Sequence, residues 1–428
     1  MDESIFAWTH QGQVTRSCFI QQAAQIGAQL PKEGYVLNVC SDRYEFALGL
    51  VAAWMVGIPT LLPSDQGRGQ LAELSRNYPS LHQIGNLELN YYRQCNPARN
   101  AHFEGFDQKL NQSIVIPFTS GTTGNPVPHP KSLSSLMGSA ALIDHQLGGV
   151  KGVRMVATVP PQHMYGLELT ILLPLFKGAI LDWRRPFFPG DILSALDEGP
   201  GPVALVTTPL HLRALLSLPD PDLPKVSFIV SATAPLPLEL AREAEARFSA
   251  PLHEVYGCTE LGSIAGRRPA ISEAWNWYSG VRCTAESEGY GVTAAHVDTP
   301  ARLSDQLEIL QDGSFLLKGR NADLVNIAGK RSSIRALERA ALGIEGVRDV
   351  AFIQGDELNG GVGRLSALVV LDPTVSLASV KAALRRDLDP AFVPRTLIEV
   401  SSLPRNAVGK LPRARLLAFL GEVSESST

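Results

Sequence analysis

The sequence predicts an α/β protein. A large N-terminal α/β domain with parallel sheets spans residues 1–322, and a small C-terminal α+β domain spans residues 323–420. Three observations predict this. A strand–helix–strand unit stands near the start, short apolar strands then alternate with periodic helices through residue 248, and hairpin signals replace that alternation after about residue 290. Parallel strands need crossover connections, so an alternating pattern of this kind points to a parallel sheet faced with helices.

The elements follow in order. YVLNVC, from Tyr35, reads as a buried strand; SDRYEF opens a helix that stays apolar to Val56; IPTLLP (58–63) is the second strand. Ile114–Phe118 is a short strand running straight into FTSGTTGNPVPHPKS (118–132), and Leu133–Gln146 reads as a helix. Arg154–Val159, Ala179–Asp182, Ala204–Thr207 and Ser227–Val230 are further apolar strands, with periodic helices such as Leu236–Phe248 between them. After about residue 290, Leu307–Leu310 and Ser314–Leu317 flank Asp312-Gly313, a hairpin signal. A helix over Ile334–Leu342, strands over Val350–Ile353 and Leu365–Val370 and a helix over Leu377–Leu388 complete a compact unit. The boundary falls near Asp323, and the polar tail GEVSESST (421–428) suggests disorder.

Composition excludes several classes. With 45% hydrophobic and 19% charged residues and a net charge of −4, the 428-residue chain suits a soluble globular protein and lacks the basic field of a nucleic-acid binder. Its basic residues gather late, at Arg385-Arg386 and around Lys410, Arg413 and Arg415, a local face suited to phosphates or an acidic carrier. The five cysteines are scattered with no CxxC pair, which fits a reducing cytoplasm better than a disulfide or zinc framework. The first residues, MDESIFAWTHQG, carry no signal-peptide pattern, and the most apolar run, Phe46 to Leu62, is broken by Gly57 and Pro59, so no membrane span is expected.

Three loops draw attention. In the first, Thr119, Ser120, Gly121, Thr122, Thr123 and Gly124 follow a strand and precede a helix, where backbone N–H groups converge on an anion. It is not a Walker A loop, since no Gly-Lys-Ser/Thr follows, and an ordinary surface turn has the same composition. The second is VYGCTELGS (255–263): Glu260 is either a helix-start acid behind a Thr259 cap, or a carboxylate at the carboxyl edge of a sheet, where it would suit Mg²⁺ beside phosphates. The third is LPRNAVGKLPR (403–413), where Lys410 is either a solvated loop lysine or a far-reaching cation.

Taken together in this order and spacing, the loops resemble those of the adenylate-forming superfamily, which includes acyl-CoA synthetases, aryl acid ligases and carrier-protein adenylation domains. The resemblance spans nearly the whole chain. TSGTTGNP is similar to the family's phosphate loop, PPQHMYGLE (160–168) to its acyl-pocket segment, YGCTE to its Thr/Glu motif, LSDQLEILQDGSFLLKGRNADLVNIAGKR to its ribose and hinge segment, and PRNAVGKLPR to the motif carrying its catalytic lysine. Two departures stand out. The usual Asn-Pro-Lys-Gly reads Asn125-Pro126-Val127-Pro128-His129-Pro130-Lys131, with Lys131 in a displaced position to supply the missing charge. The first Asp of the usual hinge pair is Ala322, leaving Asp323. Short chains with this PVPHPK variant look most like a bacterial branch tied to aryl-polyene and related lipid pathways.

The resemblance implies an ATP- and Mg²⁺-dependent activation of a carboxylic acid to acyl-AMP, followed by transfer to the thiol of CoA or to the phosphopantetheine of an acyl carrier protein. It implies that Thr119 to Gly124, with Lys131, Tyr256 and Gly257, hold the nucleotide phosphates, that Glu260 positions the metal, and that Thr259 touches the α-phosphate. Asp305 and Arg320 contact the ribose and nucleotide, and Lys410 bridges carboxylate and phosphoryl oxygens. His163, Tyr165 and Gly166, with Ser231, Ala232, Thr233 and Ala234, line the acyl pocket. Two other readings stand beside it: a degenerate nucleotide-binding scaffold, to which Val127 and Ala322 would point, and an enzyme handing acyl-AMP to a non-thiol acceptor.

Overall fold

The structure, a computed structural model, describes residues 2–63, 68–86, 88–89, 110–120, 126–219, 223–286, 289–303, 305–320, 324–327, 330–354, 365–405, 411 and 413–425. By packing it divides into two compact units, one of residues 1–232, 238–283 and 292–301, the other of residues 233–237, 284–291 and 302–428.

Two large sheets lie in the first unit. The larger runs, edge to edge, Asn276–Trp277, Gly262–Arg267, Leu252–Cys258, Ile229–Ser231, Val203–Thr207, Arg154–Ala157, Ile180–Asp182, Ile5–Thr9 and Gly12–Thr15. Its six central strands pair in parallel, and antiparallel strands close both edges. The second sheet runs Leu81–Ile84, Tyr35–Asn38, Thr60–Leu62, Ser113–Ser120 and Pro126–Pro128, and is parallel through its first four strands. The strands expected at Tyr35, 58–63, Ile114, Arg154, Ala179 and Ala204 therefore stand within a residue or two of the expected bounds, and Ser227–Val230 is displaced slightly to Ile229–Ser231. The hairpin Ile5–Thr9/Gly12–Thr15, which extends the large sheet, went unread in the sequence.

Local chemistry sets the helices between the strands. Asp42 caps Arg43–Val56 by accepting from the Glu45 amide at 2.9 Å, and Gly57 ends it at φ 82°. That left-handed conformation costs glycine nothing. The helix is buried on nearly every face, which explains its near-continuous apolar sequence. At its start the buried Arg43 guanidinium donates to the carbonyls of Ala157, Val159, Asp182 and Arg184, tying together the carboxyl ends of two strands of the large sheet. Burial pushes its pKa down to about 10. Ser132 caps Leu133–Gln146 by accepting from the Ser135 amide at 3.1 Å. One apolar core joins these elements, from Phe6 and Phe19 through Phe46 and Leu50 to Leu172 and Val206.

The second unit contains the expected hairpin, Asp305–Ile309 with Phe315–Arg320, turned at Asp312, whose carboxylate accepts from the Ser314 amide at 3.0 Å. It also contains the hairpin Leu324–Ile327/Lys330–Ser333 and a three-stranded sheet of Val347–Gln354, Leu365–Leu371 and Thr396–Glu399. Helices Ile334–Leu342 and Leu377–Asp387 lie where the periodicity puts them. Leu337, Phe352, Val369 and Leu384 fill the core beneath them. Helix Arg413–Glu425 runs through residues 421–425, where the polar tail suggests disorder: Leu416 is buried against Ile353 and Leu368, and Phe419 and Leu420 pack beside it, so the apolar stripe before the tail carries the helix onward.

Candidate active site

The strand Ser113–Ser120 leads into the glycine-rich loop and turns back on itself. Thr119 pairs with Val127 and Ser120 with Pro126, while Val115 pairs with Lys131. Prolines 126 and 128 have no N–H to give a ladder, which suits their place on the outermost strand of this sheet. Gly121, Thr122, Thr123 and Gly124 lie outside the described residues, and Ser120 is described by its backbone alone. Thr119 Oγ1 is 2.9 Å from His129 Nε2, and the same ring nitrogen is 3.7 Å from Glu260 Oε1. Burial pushes the His129 pKa down, against the pull of the Glu260 carboxylate.

Glu260 occupies a hairpin turn. Leu252–Cys258 and Gly262–Arg267 run antiparallel, with Cys258 opposite Gly262, so Thr259, Glu260 and Leu261 form the connection. Thr259 as a helix cap, one of the two readings its sequence allowed, does not apply here: no helix follows. The turn is tight. A Cβ on Gly257 would run into the Gly262 carbonyl oxygen, and Gly262, at φ 71°, would place one 2.8 Å from the Glu168 carboxylate. Tyr256 packs against the Trp275 ring at 5.6 Å, and the Arg267 guanidinium lies 4.5 Å over that ring, so Trp275 is a packing residue. Burial raises the Cys258 thiol to about 12, which makes it inert.

Lys131 lies beneath this turn. It is 4% exposed, and its ammonium donates to the backbone carbonyl of Glu260. Burial pushes its pKa down. Glu168, the last residue of PPQHMYGLE and fully enclosed, accepts from the Ser139 hydroxyl, from the Ser263 amide at 3.0 Å and from the Ser263 hydroxyl at 2.5 Å. Desolvation raises its pKa despite these donors and the Lys131 charge. A single layer thus links the strand entering the glycine-rich loop to the acidic turn, through Thr119, His129, Glu260 and Lys131.

The residues expected around the acid lie on several elements. His163 precedes the short helix Met164–Leu167, which passes into a π-helical turn, Glu168–Leu172. The Tyr165 hydroxyl lies 3.0 Å from the Thr207 carbonyl and 2.8 Å from the Val230 carbonyl, on neighbouring strands, and burial pushes its pKa well up. Gly166 must be glycine, because a Cβ there would meet the Pro160 carbonyl. Ser231 and Ala232 are buried at the carboxyl end of Ile229–Ser231. Thr233 has φ 80°, a strained left-handed backbone for a β-branched residue, and with Ala234 it packs in the second unit.

Within the second unit, register places Asp305 directly opposite Arg320 in the hairpin, and Asp305 is 4% exposed. The side chain of Arg320 is not described, and Lys410, Ala322 and Asp323 lie outside the described residues. The sequence reading passed over His129, Glu168 and His211. A histidine ten residues past Thr119 on a returning strand was the only available signal for the first. Nothing local marks Glu168, whose partners are 29 and 95 residues away.

Among the described residues no group of three or more His, Cys, Asp or Glu could enclose a metal, and no helix is long and apolar enough to cross a membrane. A single partly exposed carboxylate such as Glu260 fits a magnesium ion whose remaining ligands are phosphate oxygens and water.

Residues 80–298 match the family model described as AMP-binding enzyme. The chain is 30% identical over 311 residues to a 4-coumarate–CoA ligase of Halorhodospira halophila, covering 68% of this chain and 73% of that one. It is 32% identical over 128 residues to a medium/long-chain fatty acid–acyl carrier protein ligase of Mycobacterium tuberculosis, covering 28% of this chain and 24% of that one. Its fold is similar to that of the O-succinylbenzoate coenzyme A synthetase of Bacillus subtilis, solved with ATP and magnesium, at a TM-score of 0.81, with 17% identity and 97% of each chain covered.

Proposed function

The chain belongs to the AMP-binding enzyme family, the adenylate-forming ligases, and is an AMP-forming acid–thiol ligase; on that premise we propose how its residues divide the work. A carboxylate is a poor electrophile whose charge repels nucleophiles. Its attack on the α-phosphate of ATP makes an acyl-adenylate and releases pyrophosphate, after which a thiol attacks the activated carbonyl and AMP leaves. The protein must bring two anions together and hold them in line.

In this proposal Thr119, Ser120 and the loop Gly121–Gly124 cradle the outer phosphates, backed by Tyr256 and Gly257. Thr259 touches the α-phosphate, and Asp305 and Arg320 hold the nucleotide. Lys410 bridges the acid and the phosphoryl oxygens, where a compact point charge serves better than a guanidinium fork. Glu260 would hold Mg²⁺, which supplies charge neutralisation on the phosphates. The acid lies among His163, Tyr165, Gly166, Ser231, Ala232, Thr233 and Ala234. The small domain, hinged at Asp323, withdraws Lys410 and admits the thiol. That thiol is CoA or the phosphopantetheine of an acyl carrier protein, to which the late basic residues are suited. The scattered cysteines support a cytoplasmic setting.

One observation supports this reading: His129 Nε2 lies 2.9 Å from Thr119 Oγ1 and 3.7 Å from Glu260 Oε1, which brings the strand entering the glycine-rich loop and the acidic turn together. Lys131, buried under that layer on the Glu260 carbonyl, acts in this reading by positioning the turn. The test is to incubate the protein with ATP, Mg²⁺ and a panel of aryl and fatty acids and to identify acyl-AMP by mass spectrometry. CoA or holo-acyl carrier protein is then added. Acyl-AMP that is consumed by one thiol and not the other names the acceptor, and acyl-AMP consumed by neither would refute the thiol-transfer half of the proposal.

A further inference from the structure

The described residues include several buried polar atoms with no hydrogen-bond partner, on Thr60 and Tyr278 among others. Two of them differ in position. Ser231 ends a central parallel strand, and His211 lies in the first turns of the helix Pro209–Leu216 that follows the neighbouring strand Val203–Thr207; the carboxyl ends of such strands are where open α/β sheets bind their ligands. His211 is 5% exposed and Ser231 fully buried.

The surroundings of His211 are polar and ordered. Its Nδ1 lies 2.9 Å from the Thr208 hydroxyl and 3.3 Å from the Thr158 hydroxyl, and Thr158 is 3.1 Å from the Thr207 hydroxyl. Thr207 is the register partner of Ser231 on the adjacent parallel strand, so the two side chains emerge on the same face of the sheet. Thr158, Thr207 and Ser231 thus form a polar strip across three strand ends, with the imidazole at one side. The Phe187 ring meets that imidazole edge-on at 5.4 Å. One nitrogen of His211 is anchored and the other is held in place without a partner. A buried donor or acceptor left in this state costs stability unless something satisfies it.

We propose that the acid this ligase activates bears a hydroxyl group, and that His211 Nε2 and Ser231 Oγ are the side chains that read it. The inference rests on the acid-activation reading above. A hydroxyl both donates and accepts, so it satisfies the imidazole in either tautomer and the serine in either role. A site built this way rejects the deoxy analogue because its own polar groups are then left unpaired.

The test uses matched acids that differ by one hydroxyl: cinnamate with 4-hydroxycinnamate, benzoate with 3- and 4-hydroxybenzoate, octanoate with 3-hydroxyoctanoate. The readout is the ratio of kcat/KM for acid-dependent pyrophosphate release within each pair. Wild-type protein should favour the hydroxylated member of at least one pair by about 10- to 100-fold. His211→Leu should shrink that ratio by about tenfold or more, and so should Ser231→Ala, a milder change that keeps the test alive if the first variant folds poorly. Ratios near one in every pair, or a preference that neither substitution moves, would overturn the inference while leaving acid activation standing. Pyrophosphate release with none of the acids would instead overturn acid activation itself, and this inference with it.

Discussion

Two buried polar regions of the large unit use similar residues and end in opposite states. Around Glu168 each described oxygen has its donors: two serine hydroxyls and an amide converge on one carboxylate, with the Lys131 charge nearby. Around His211 the same kinds of groups gather, threonines, a serine and a titratable side chain, yet one ring nitrogen and one hydroxyl stay unsatisfied. A closed network answers its own desolvation cost and behaves as structure. An open one holds that cost until a ligand arrives. Burial alone therefore does not separate structural from functional polar groups, whereas the accounting of partners does.

The largest expected effect breaks the closed network. Glu168→Ala leaves three buried donors without an acceptor and should cost about 3–5 kcal/mol in denaturant unfolding. His211→Leu removes one unsatisfied nitrogen together with one that the Thr158 and Thr208 hydroxyls share, and should cost less, about 1–2 kcal/mol. Equal losses in the two variants would erase the distinction.

Next is Lys131→Met. Removing the buried cation while the Glu168 carboxylate stays in place lowers stability, as loss of one buried charge partner does. The Glu260 turn also loses its tether, so kcat for pyrophosphate release should fall about tenfold through misplacement. A drop in stability with kcat unchanged would show that Lys131 merely fills space.

The smallest effect is in pH dependence, and the two regions should carry opposite signs. The Glu168 carboxyl is raised in the folded state, so its contribution is present below the ordinary carboxylate value near 4.5 and is lost as pH rises through the raised value. His211 is lowered from 6.5 to about 4 by burial, with Arg185 adding to the effect, so its contribution is present above 6.5 and is lost as pH falls towards 4. Each slope is at most about 1.4 kcal/mol per pH unit. Unfolding free energies from pH 4 to 8 for wild type, Glu168→Gln and His211→Leu measure them: relative to wild type, the first variant should gain with rising pH and the second with falling pH.

Much of this was legible in the sequence. Leu133–Gln146 and, closely, Ile334–Leu342 were readable because periodicity is a local signal, and the Asp312-Gly313 turn announced its own hairpin. The long-range pairings were not. Lys131 looks like a loop lysine in PHPKSL, and only the Glu260 carbonyl, 129 residues on, makes it an internal strut. Glu168 ends PPQHMYGLE, a segment read for its acyl-pocket residues, and its partners arrive from a helix and from the strand after the acidic turn. His211, in TPLHLRALL, passes for one position on an amphipathic helix until the strand ends beside it are in place.

The most direct measurement of the central claim is ATP–pyrophosphate exchange with and without a carboxylic acid, in wild type and in Lys410→Ala. Acid activation predicts exchange that depends on the acid and falls by about 10²- to 10³-fold in the variant, the cost of removing one preorganised charge from a transition state. Exchange that proceeds without any acid, or that survives the loss of Lys410 undiminished, would contradict it.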